Sequence, residues 1–380
     1  MTYDKNNPFP ARLAENALLT QAGSTKETRH FVIDITGSGL SYTCGDSLGV
    51  YPSNPPESVE AILTALKADG NEPVSLPKED TPRPLREALS NHLSLAKPTT
   101  RTLQAFMEKV TAAEERHQLE SLLDSENRAA TQDYLADREY IDLLEEYPSA
   151  AFSPQDFVDL LRRLVPRLYS IASSPTVHPE AVHLTVAVVR YETNKRQRLG
   201  VASTWLADRV AIQQTEVPAF IASSHFNLPD SDDTDIIMVG PGTGVAPFRA
   251  FTQERAARGA KGRSWLFFGD RNQATDYLYA EEWKAWCEEG ALTHLDLAWS
   301  RDQEERVYVQ DKLLAQAKTV WEWLDKGAYF YVCGDAKRMA KDVDQALHQI
   351  AREQGGMDEP AAKDFVRQLK KDKRYQRDVY

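Results

Sequence analysis

The segment from Pro166 to Ser170 combines side chains whose types and order suit one kind of chemistry. Arg167 carries a guanidinium that can pair with a pyrophosphate. Tyr169 follows two positions later, so on a strand it shares a face with Arg167 and can stack on a flat ring. Ser170 offers a hydroxyl to a ring nitrogen. The segment therefore predicts a flavin nucleotide site, with an ordinary strand end carrying a surface arginine as the alternative.

A second candidate site is the glycine-rich segment Gly240-Pro241-Gly242-Thr243-Gly244. It stands between an apolar run at 236–239 and a helix predicted over 245–258. Glycines in this position let backbone N–H groups approach a pyrophosphate at a helix N-terminus. The spacing differs from the Gly-x-Gly-x-x-Gly pattern, so a tight turn is the alternative.

A basic loop follows a later predicted strand and contains Ser300, Arg301, Arg306, Tyr308 and Gln310. A dinucleotide site for NAD favours an acidic residue on the ribose hydroxyls, whereas basic and hydroxyl side chains suit the 2′-phosphate of NADP. Acidic residues are interleaved with the arginines, so a solvated charged loop is the alternative.

Composition excludes several classes of protein. The 380 residues are 42% hydrophobic and 27% charged, as expected for a globular protein of two or three domains, and contain no apolar run long enough to span a membrane. The net charge of −12 argues against nucleic-acid binding. Three cysteines without a Cys-x-x-Cys pair, and scattered histidines, predict no metal site and a reducing, cytoplasmic location. The N-terminus does not resemble a signal peptide.

Hydrophobic periodicity predicts an α+β multidomain fold. Strand patterns at 1–57 and 151–229 indicate an antiparallel β-barrel, and helical spacing at 58–150 indicates a helical connecting insert within it. Residues 230–380 alternate strands and helices, which predicts a doubly wound parallel α/β domain. Its predicted helices include 277–288, 309–326 and 336–353. The bounds of these domains and helices are expectations from the sequence pattern.

Several ordered blocks resemble the ferredoxin–NADP reductase superfamily, and within it the flavoprotein subunits of NADPH-dependent assimilatory sulfite reductases and the diflavin reductases. The similarity covers nearly the whole chain. The blocks are 166–174 (PRLYSIASS), 240–251 (GPGTGVAPFRAF), 298–303 (AWSRDQ), 307–313 (VYVQDKL), 331–336 (YVCGDA) and 374–380 (RYQRDVY).

The resemblance implies that FAD and NADP(H) are the cofactors and assigns their contacts. The FAD residues would be Arg167, Leu168, Tyr169, Ser170, Thr185, Val186, Ala187, Tyr191, Gly200, Val201, Ala202, Ser203 and Tyr380. The NADP residues would be Gly240, Gly242, Thr243, Gly244, Ser300, Arg301, Arg306, Val307, Tyr308, Val309, Gln310 and Asp342. The helix after Gly200 would present its N–H groups to a flavin phosphate.

The resemblance also implies the catalytic residues Ser170, Cys333, Asp378 and Tyr380. Ser170 would donate a hydrogen bond near flavin N5, and Cys333 would pack near nicotinamide C4. Asp378 would hold both side chains and stabilise the developing nicotinamide cation. Tyr380, in the aromatic C-terminal tail, would cover the flavin ring until nicotinamide displaces it. The alternatives are a buried apolar role for Cys333 and a frayed tail.

Departures from the family pattern accompany the resemblance. Cys44 stands where the family usually has proline, and residues 93–100 contain no clear match to a family threonine that contacts FAD. No FMN domain is found in this chain, so FMN is not an expected cofactor, and the sequence leaves open a natural FMN-less protein or a piece of a longer diflavin protein.

The expected function is hydride transfer from NADPH to FAD, with electrons passed to a separate acceptor for sulfite reduction. That acceptor would be the sulfite reductase hemoprotein (beta) subunit or a small carrier such as flavodoxin or ferredoxin, docked on basic residues at 190–198 and 162–163. The alternatives are a stand-alone ferredoxin or flavodoxin reductase and a redox-silent FAD-binding scaffold. Neither nucleic acid nor membrane is an expected partner.

Overall fold

A computed structural model describes residues 3–380, and seventeen strands are found in that part of the chain. They are β1 (Phe9–Leu18), β2 (Thr28–Asp34), β3 (Ser47–Val50), β4 (Pro73–Val74), β5 (Arg83–Pro84), β6 (Leu93–Ser94), β7 (Arg162–Arg163), β8 (Arg167–Ser170), β9 (Ala181–Ala187), β10 (Arg190–Thr193), β11 (Arg196–Leu199), β12 (Glu216–Ala222), β13 (Ile236–Val239), β14 (Ser264–Asp270), β15 (His294–Trp299), β16 (Tyr329–Gly334) and β17 (Tyr375–Val379).

Fifteen α-helices occur in the same described residues. They are α1 (Pro56–Leu66), α2 (Leu85–Asn91), α3 (Thr100–Lys109), α4 (Ala113–Leu123), α5 (Arg128–Ala136), α6 (Tyr140–Glu146), α7 (Pro154–Val158), α8 (Val201–Thr204), α9 (Ala246–Arg258), α10 (Gln273–Asp276), α11 (Ala280–Glu288), α12 (Val309–Ala315), α13 (Ala317–Asp325), α14 (Met339–Glu353) and α15 (Glu359–Lys371). Short 3₁₀ turns at Ser125–Asn127 and Gly242–Val245 and a π-helix at Trp205–Arg209 complete the helical structure.

The chain divides into two compact units. The first contains the chain up to Val50, Leu168–Val188 and Val210–Tyr380, and so includes both large sheets. The second contains Tyr51–Arg167 and Val189–Arg209, which are mainly the helices α1–α8 and the β10–β11 hairpin. The four-part division expected from the sequence stays a prediction.

The sequence predicted an antiparallel barrel, and the first unit contains an antiparallel six-stranded sheet with the order β8-β3-β12-β1-β2-β9. The chain just after β8 returns to the opposite edge of this sheet. Ile171 bridges to Leu184 in β9, and the Ala172 N–H donates to the His183 carbonyl at 2.8 Å. These contacts join the two edge strands, so the sheet closes into a small barrel and leaves few unpaired edge groups.

A five-stranded parallel sheet in the first unit has the order β15-β14-β13-β16-β17. Every residue of β13 is buried, because helices cover both faces of a parallel sheet. This confirms the predicted α/β fold. Because the order changes direction beside β13, the carboxyl ends of β13 and β16 form the switch point where such sheets bind ligands.

Three predicted helices of this α/β part have different bounds. The helix expected over 277–288 begins at Ala280, because Tyr279 adopts a left-handed conformation with φ of 57°. The helix expected over 336–353 begins at Met339, after a turn in which the Asp335 carboxylate accepts the N–H groups of Arg338 and Met339. The helix expected over 309–326 breaks at Gln316 into α12 and α13.

Within residues 3–380, none of the helices combines the length and the apolar character needed to cross a membrane.

Candidate active site

Ser170, Cys333 and Asp378 converge at the carboxyl end of β16. Ser170 is the last residue of β8, and its hydroxyl donates to Asp378 Oδ2 at 2.6 Å. Cys333 and Asp378 are register partners in the parallel β16–β17 pair, and the Cys333 Sγ lies 3.7 Å from the same Oδ2 atom. One carboxylate oxygen therefore holds both side chains, and two strands from distant parts of the sequence position them.

Burial controls the ionisation of the Cys333 thiol. The side chain is fully buried, which disfavours the thiolate, and the neighbouring Asp378 carboxylate disfavours it further. The pKa of Cys333 is therefore raised well above its usual value. At neutral pH the group is a protonated thiol, which acts as a small apolar contact and a weak hydrogen-bond donor rather than as a nucleophile.

The C-terminal residue Tyr380 is tied down through its backbone. Its N–H donates to the Gly334 carbonyl and its carbonyl accepts the Ala336 N–H, both at 3.1 Å. The Tyr380 hydroxyl lies 3.1 Å from Thr243 Oγ1, yet the residue remains 64% exposed. A large aromatic ring held in place and left uncovered is suited to stack on a planar ligand.

A cavity of about 640 Å³ opens beside these residues in the first unit. Nine of the residues predicted for the nucleotide or for ring stacking line it, namely Gly242, Thr243, Ser300, Val307, Tyr308, Val309, Gln310, Asp342 and Tyr380. Its volume falls in the range typical of small-molecule sites. Both the glycine-rich loop after β13 and the loop before α12 contribute to its walls, so the two segments identified separately in the sequence form one site.

The glycine-rich loop depends on two of its glycines. Gly242 has φ of +56°, a conformation that other residues adopt only with strain. A Cβ atom on Gly244 would lie 2.2 Å from the Cys333 carbonyl oxygen, so only glycine allows the loop to pack against the end of β16. This close contact places the nucleotide loop next to the Cys333 backbone.

Other predicted nucleotide residues lie away from the cavity wall. Gly240 and Gly244 are buried and do not line the cavity, and Arg301 and Arg306 are exposed on the loop after β15. Both arginines are free of side-chain ion pairs within residues 3–380. Their assignment to the 2′-phosphate stays a prediction.

Ten residues that line the cavity were not among the predicted site residues. They are Lys26, Pro241, Gly269, Asp270, Arg271, Ala298, Gly334, Asp335, Arg338 and Met339. Asp270 ends the buried strand β14 and Arg271 follows it, so their place at the carboxyl edge of a parallel sheet could have identified them. Lys26 could not have been found this way, because it comes from the loop between β1 and β2 of the barrel.

The predicted flavin residues of the first unit differ in exposure. Leu168 is 56% exposed, which is unusual for an apolar side chain on a strand and fits a surface that a planar ligand covers. Tyr169 and Ser170 are half-buried. Thr185 and Val186 are buried, and the Thr185 hydroxyl lies 2.7 Å from the Tyr279 hydroxyl. Of this strand, Ala187 is the exposed side chain, so any ligand contact of Thr185 would use its backbone.

The second unit contains the remaining predicted flavin residues. Arg167 is exposed and Tyr191 is 50% exposed. Ser203, in α8, ties this helix to the turn before it, because its Oγ accepts the Val189 N–H and donates to the Gly200 carbonyl, both at 3.1 Å. A Cβ atom on Gly200 would lie 2.7 Å from the Val189 Cβ, so the turn requires glycine. An exposed cation, an exposed ring and a tight glycine turn fit the phosphates and ring system of FAD. Val201 and Ala202 belong to the same α8 helix.

The hypothesis that Arg198 docks an acidic partner is wrong. Its side chain is 1% exposed and pairs with Asp142 at 2.5 Å and with Glu139 at 3.2 Å. Arg196, on the same strand, pairs with Glu145 at 2.6 Å, and Arg190 pairs with Asp208 at 2.9 Å. Charge near 190–198 is thus balanced within the second unit. Arg162 and Arg163 remain exposed.

Comparison with known families agrees with this geometry. Residues 1–205 match the family model described as FAD binding domain, and residues 238–345 match the one described as oxidoreductase NAD-binding domain. The first match covers more than half of the chain, so the chain belongs to the FAD binding domain family. With its second domain it is a flavin-dependent oxidoreductase of the ferredoxin–NADP reductase type, with FAD and NADP(H) as cofactors.

Several curated relatives carry the same name. The chain is 44% identical over 380 residues to the sulfite reductase (NADPH) flavoprotein alpha-component of Bacillus subtilis (strain 168), and 46% identical to those of Zymomonas mobilis and Escherichia coli O9:H4. All of this chain is aligned in each case, but it spans only 61–62% of the length of these relatives.

Proposed function

We propose that this chain oxidises NADPH, passes the hydride to FAD and delivers the electrons to a separate acceptor that reduces sulfite to sulfide. The observation that carries the proposal is the convergence of Ser170, Cys333 and Asp378 beside the nucleotide cavity, whose wall includes the neighbouring Gly334 and Tyr380. The names of the curated relatives support the choice of sulfite.

Bound FAD supplies the chemistry of accepting a hydride and releasing electrons singly. The residues of this chain supply position and electrostatics. The Ser170 hydroxyl, oriented by Asp378, would present a polar group to the flavin. The Cys333 thiol, held protonated by burial, would give a small apolar contact for the nicotinamide ring. The Asp378 carboxylate, fixed by two hydrogen bonds, would stabilise positive charge on the nicotinamide.

Nucleotide binding would involve opposite walls of the cavity. The N–H groups of the loop containing Gly242 and Thr243 would bind the pyrophosphate, and Ser300, Tyr308 and Gln310 would bind the adenosine end with its 2′-phosphate. The Tyr380 ring would cover the flavin before the nicotinamide enters. Its single side-chain hydrogen bond, to Thr243, is weak enough to break during that exchange.

The proposed acceptor is a sulfite reductase hemoprotein subunit, with flavodoxin or ferredoxin as carriers in its place. The exposed Arg162 and Arg163, of which Arg163 also pairs with Glu79 at 3.4 Å, are the remaining basic candidates for docking an acidic partner. The proposed location is the cytoplasm, since Cys44, Cys287 and Cys333 are all free thiols.

A comparison of acceptors tests the proposal. The purified FAD-loaded protein is reduced with NADPH and mixed in parallel with the hemoprotein, flavodoxin and ferredoxin, with ferricyanide as a non-specific acceptor. We expect ferricyanide reduction, and hemoprotein reduction directly or through a carrier. Reduction of a carrier without any transfer to the hemoprotein would favour a stand-alone reductase. Lack of ferricyanide reduction would contradict a redox role and favour a scaffold.

A further inference from the structure

Lys26 reaches the nucleotide cavity from outside the α/β part of the chain. It lies in the loop between β1 and β2 of the barrel, and its ammonium pairs with the Asp270 carboxylate at the end of β14. The Asp270 side chain is 3% exposed and the Lys26 side chain 29% exposed. One partner is therefore fixed in the wall, and the other retains an accessible face toward the cavity.

Neighbouring contacts hold the Lys26 loop in place. Ser24 Oγ donates to Asp276 Oδ1 at 2.5 Å and accepts the Lys26 N–H at 3.0 Å. The Arg271 guanidinium donates to Thr25 Oγ1, next to Lys26 in the chain, at 2.5 Å. Asp276 is buried, so the loop is anchored to a rigid point. Lys26 is thus a positioned cation rather than a mobile surface side chain.

The ion pair lies against the glycine-rich loop. A Cβ atom on Gly242 would lie 3.6 Å from Asp270 Oδ2 and 3.9 Å from Lys26 Nζ. Lysine has three N–H donors, and Asp270 takes one of them. The remaining donors lie beside the backbone segment that would bind the nucleotide pyrophosphate.

Charge also argues for a direct role. A buried carboxylate in a cavity for an anionic ligand would repel that ligand unless a cation compensates it. Lys26 compensates Asp270, and a compact ammonium is well suited to phosphate as a point charge. We propose that Lys26 is a nucleotide-binding residue that contacts the pyrophosphate of NADP(H), with Asp270 as the residue that positions it.

Equilibrium binding tests this proposal independently of the electron acceptor. The Kd of the FAD-loaded protein is measured by calorimetry for three probes, which are NADP⁺, NAD⁺ and adenosine 2′-monophosphate. The last probe has the 2′-phosphate but no pyrophosphate. Lys26→Met should raise the Kd of NADP⁺ and NAD⁺ by the same factor, about tenfold, and change the Kd of adenosine 2′-monophosphate less than twofold.

Two further variants separate direct contact from charge compensation. Lys26→Arg should keep the Kd of NADP⁺ within about threefold, because it retains the charge and the donors. The double variant Lys26→Met with Asp270→Asn should stay as weak as Lys26→Met. Lys363→Met, which removes an exposed lysine of α15, is the matched control and should leave each Kd unchanged.

Three results would overturn the proposal. These are an unchanged Kd for NADP⁺ in Lys26→Met, an equal loss for adenosine 2′-monophosphate, and recovery of NADP⁺ binding in the double variant. FAD content and the thermal midpoint of each variant confirm that the cavity is intact. The outcome does not depend on sulfite chemistry, so its failure is distinct from a failure of the proposed function.

Discussion

The β10–β11 hairpin of the second unit and the nucleotide cavity of the first unit both contain arginines, but the two regions use them differently. In the hairpin, Arg198 is buried against Asp142 and Glu139. In the cavity wall, Arg338 forms no ion pair within residues 3–380. An arginine that is paired internally contributes to folding, whereas one left unpaired beside a cavity is available to an anionic ligand.

Removing Arg198, the internally paired arginine, should have the largest effect on stability. Arg198→Met leaves the buried Asp142 carboxylate without its main partner, so we expect the free energy of unfolding to fall by about 4 kcal/mol. Chemical denaturation followed by circular dichroism measures it. Arg101→Met, at an exposed arginine of α3, is the control and should change stability by less than about 0.5 kcal/mol. A similarly small effect for Arg198→Met would contradict the internal role.

Arg249 is a second buried and internally paired arginine, and the histidines beside it make stability depend on pH. It pairs with Glu282 at 2.7 Å, and its Nη1 atom donates toward His183 Nδ1 at 3.4 Å, which requires a neutral imidazole. Burial and the Arg249 charge lower the pKa of His30 to about 4, and burial, the neighbouring His30 and Arg249 lower that of His183 to about 2. Burial and the Arg249 charge also lower the pKa of His178.

Stability should therefore decrease in acid. These histidines bind protons more readily when unfolded, so the free energy of unfolding should fall as pH drops below about 6.5, down to about 4 for the His30 contribution and about 2 for that of His183. The contribution of His30 alone is about 3 kcal/mol. Denaturation at a series of pH values should show a shallower slope for His30→Gln, while His117→Gln, at a histidine 87% exposed, should keep the original slope. Equal slopes in both variants would refute this origin.

Removing the unpaired arginine should affect binding instead of folding. Arg338→Met should raise the Kd of NADP⁺ by about fivefold, and leave the free energy of unfolding within about 0.5 kcal/mol of the original value. Calorimetry and chemical denaturation measure the two quantities on the same sample. If Arg338→Met lowered stability without weakening NADP⁺ binding, Arg338 would serve folding rather than the ligand, which would contradict the distinction between the two regions.

The smallest expected effect concerns the contact between Tyr380 and Thr243. Tyr380→Phe keeps the ring but removes the hydroxyl, so nicotinamide should displace the ring more easily. We expect the KM for NADPH to fall by about threefold, the worth of one exposed hydrogen bond. Tyr329→Phe, outside the cavity wall, should leave KM unchanged. An increase in KM for Tyr380→Phe would show that the hydroxyl serves the nucleotide instead.

Local sequence patterns were sufficient to predict the sheets and the loops at their carboxyl edges, because strand runs and glycine turns are encoded over a few residues. The role of the hairpin arginines could not be predicted in this way, since Asp142 and Glu139 precede Arg198 by 56 and 59 positions. Lys26 and Asp270 are 244 positions apart. Contacts over such distances depend on tertiary packing, which charge and spacing along the chain do not reveal.

The central claim is that one Asp378 carboxylate oxygen organises the hydride-transfer site. The most direct test is stopped-flow measurement of FAD reduction by saturating NADPH in Asp378→Asn, with Asp364→Asn on the exposed face of α15 as the control. We predict a decrease of about 100-fold in the rate of flavin reduction, with the Kd of NADP⁺ changed less than threefold. A rate within a few-fold of the original protein would contradict the claim.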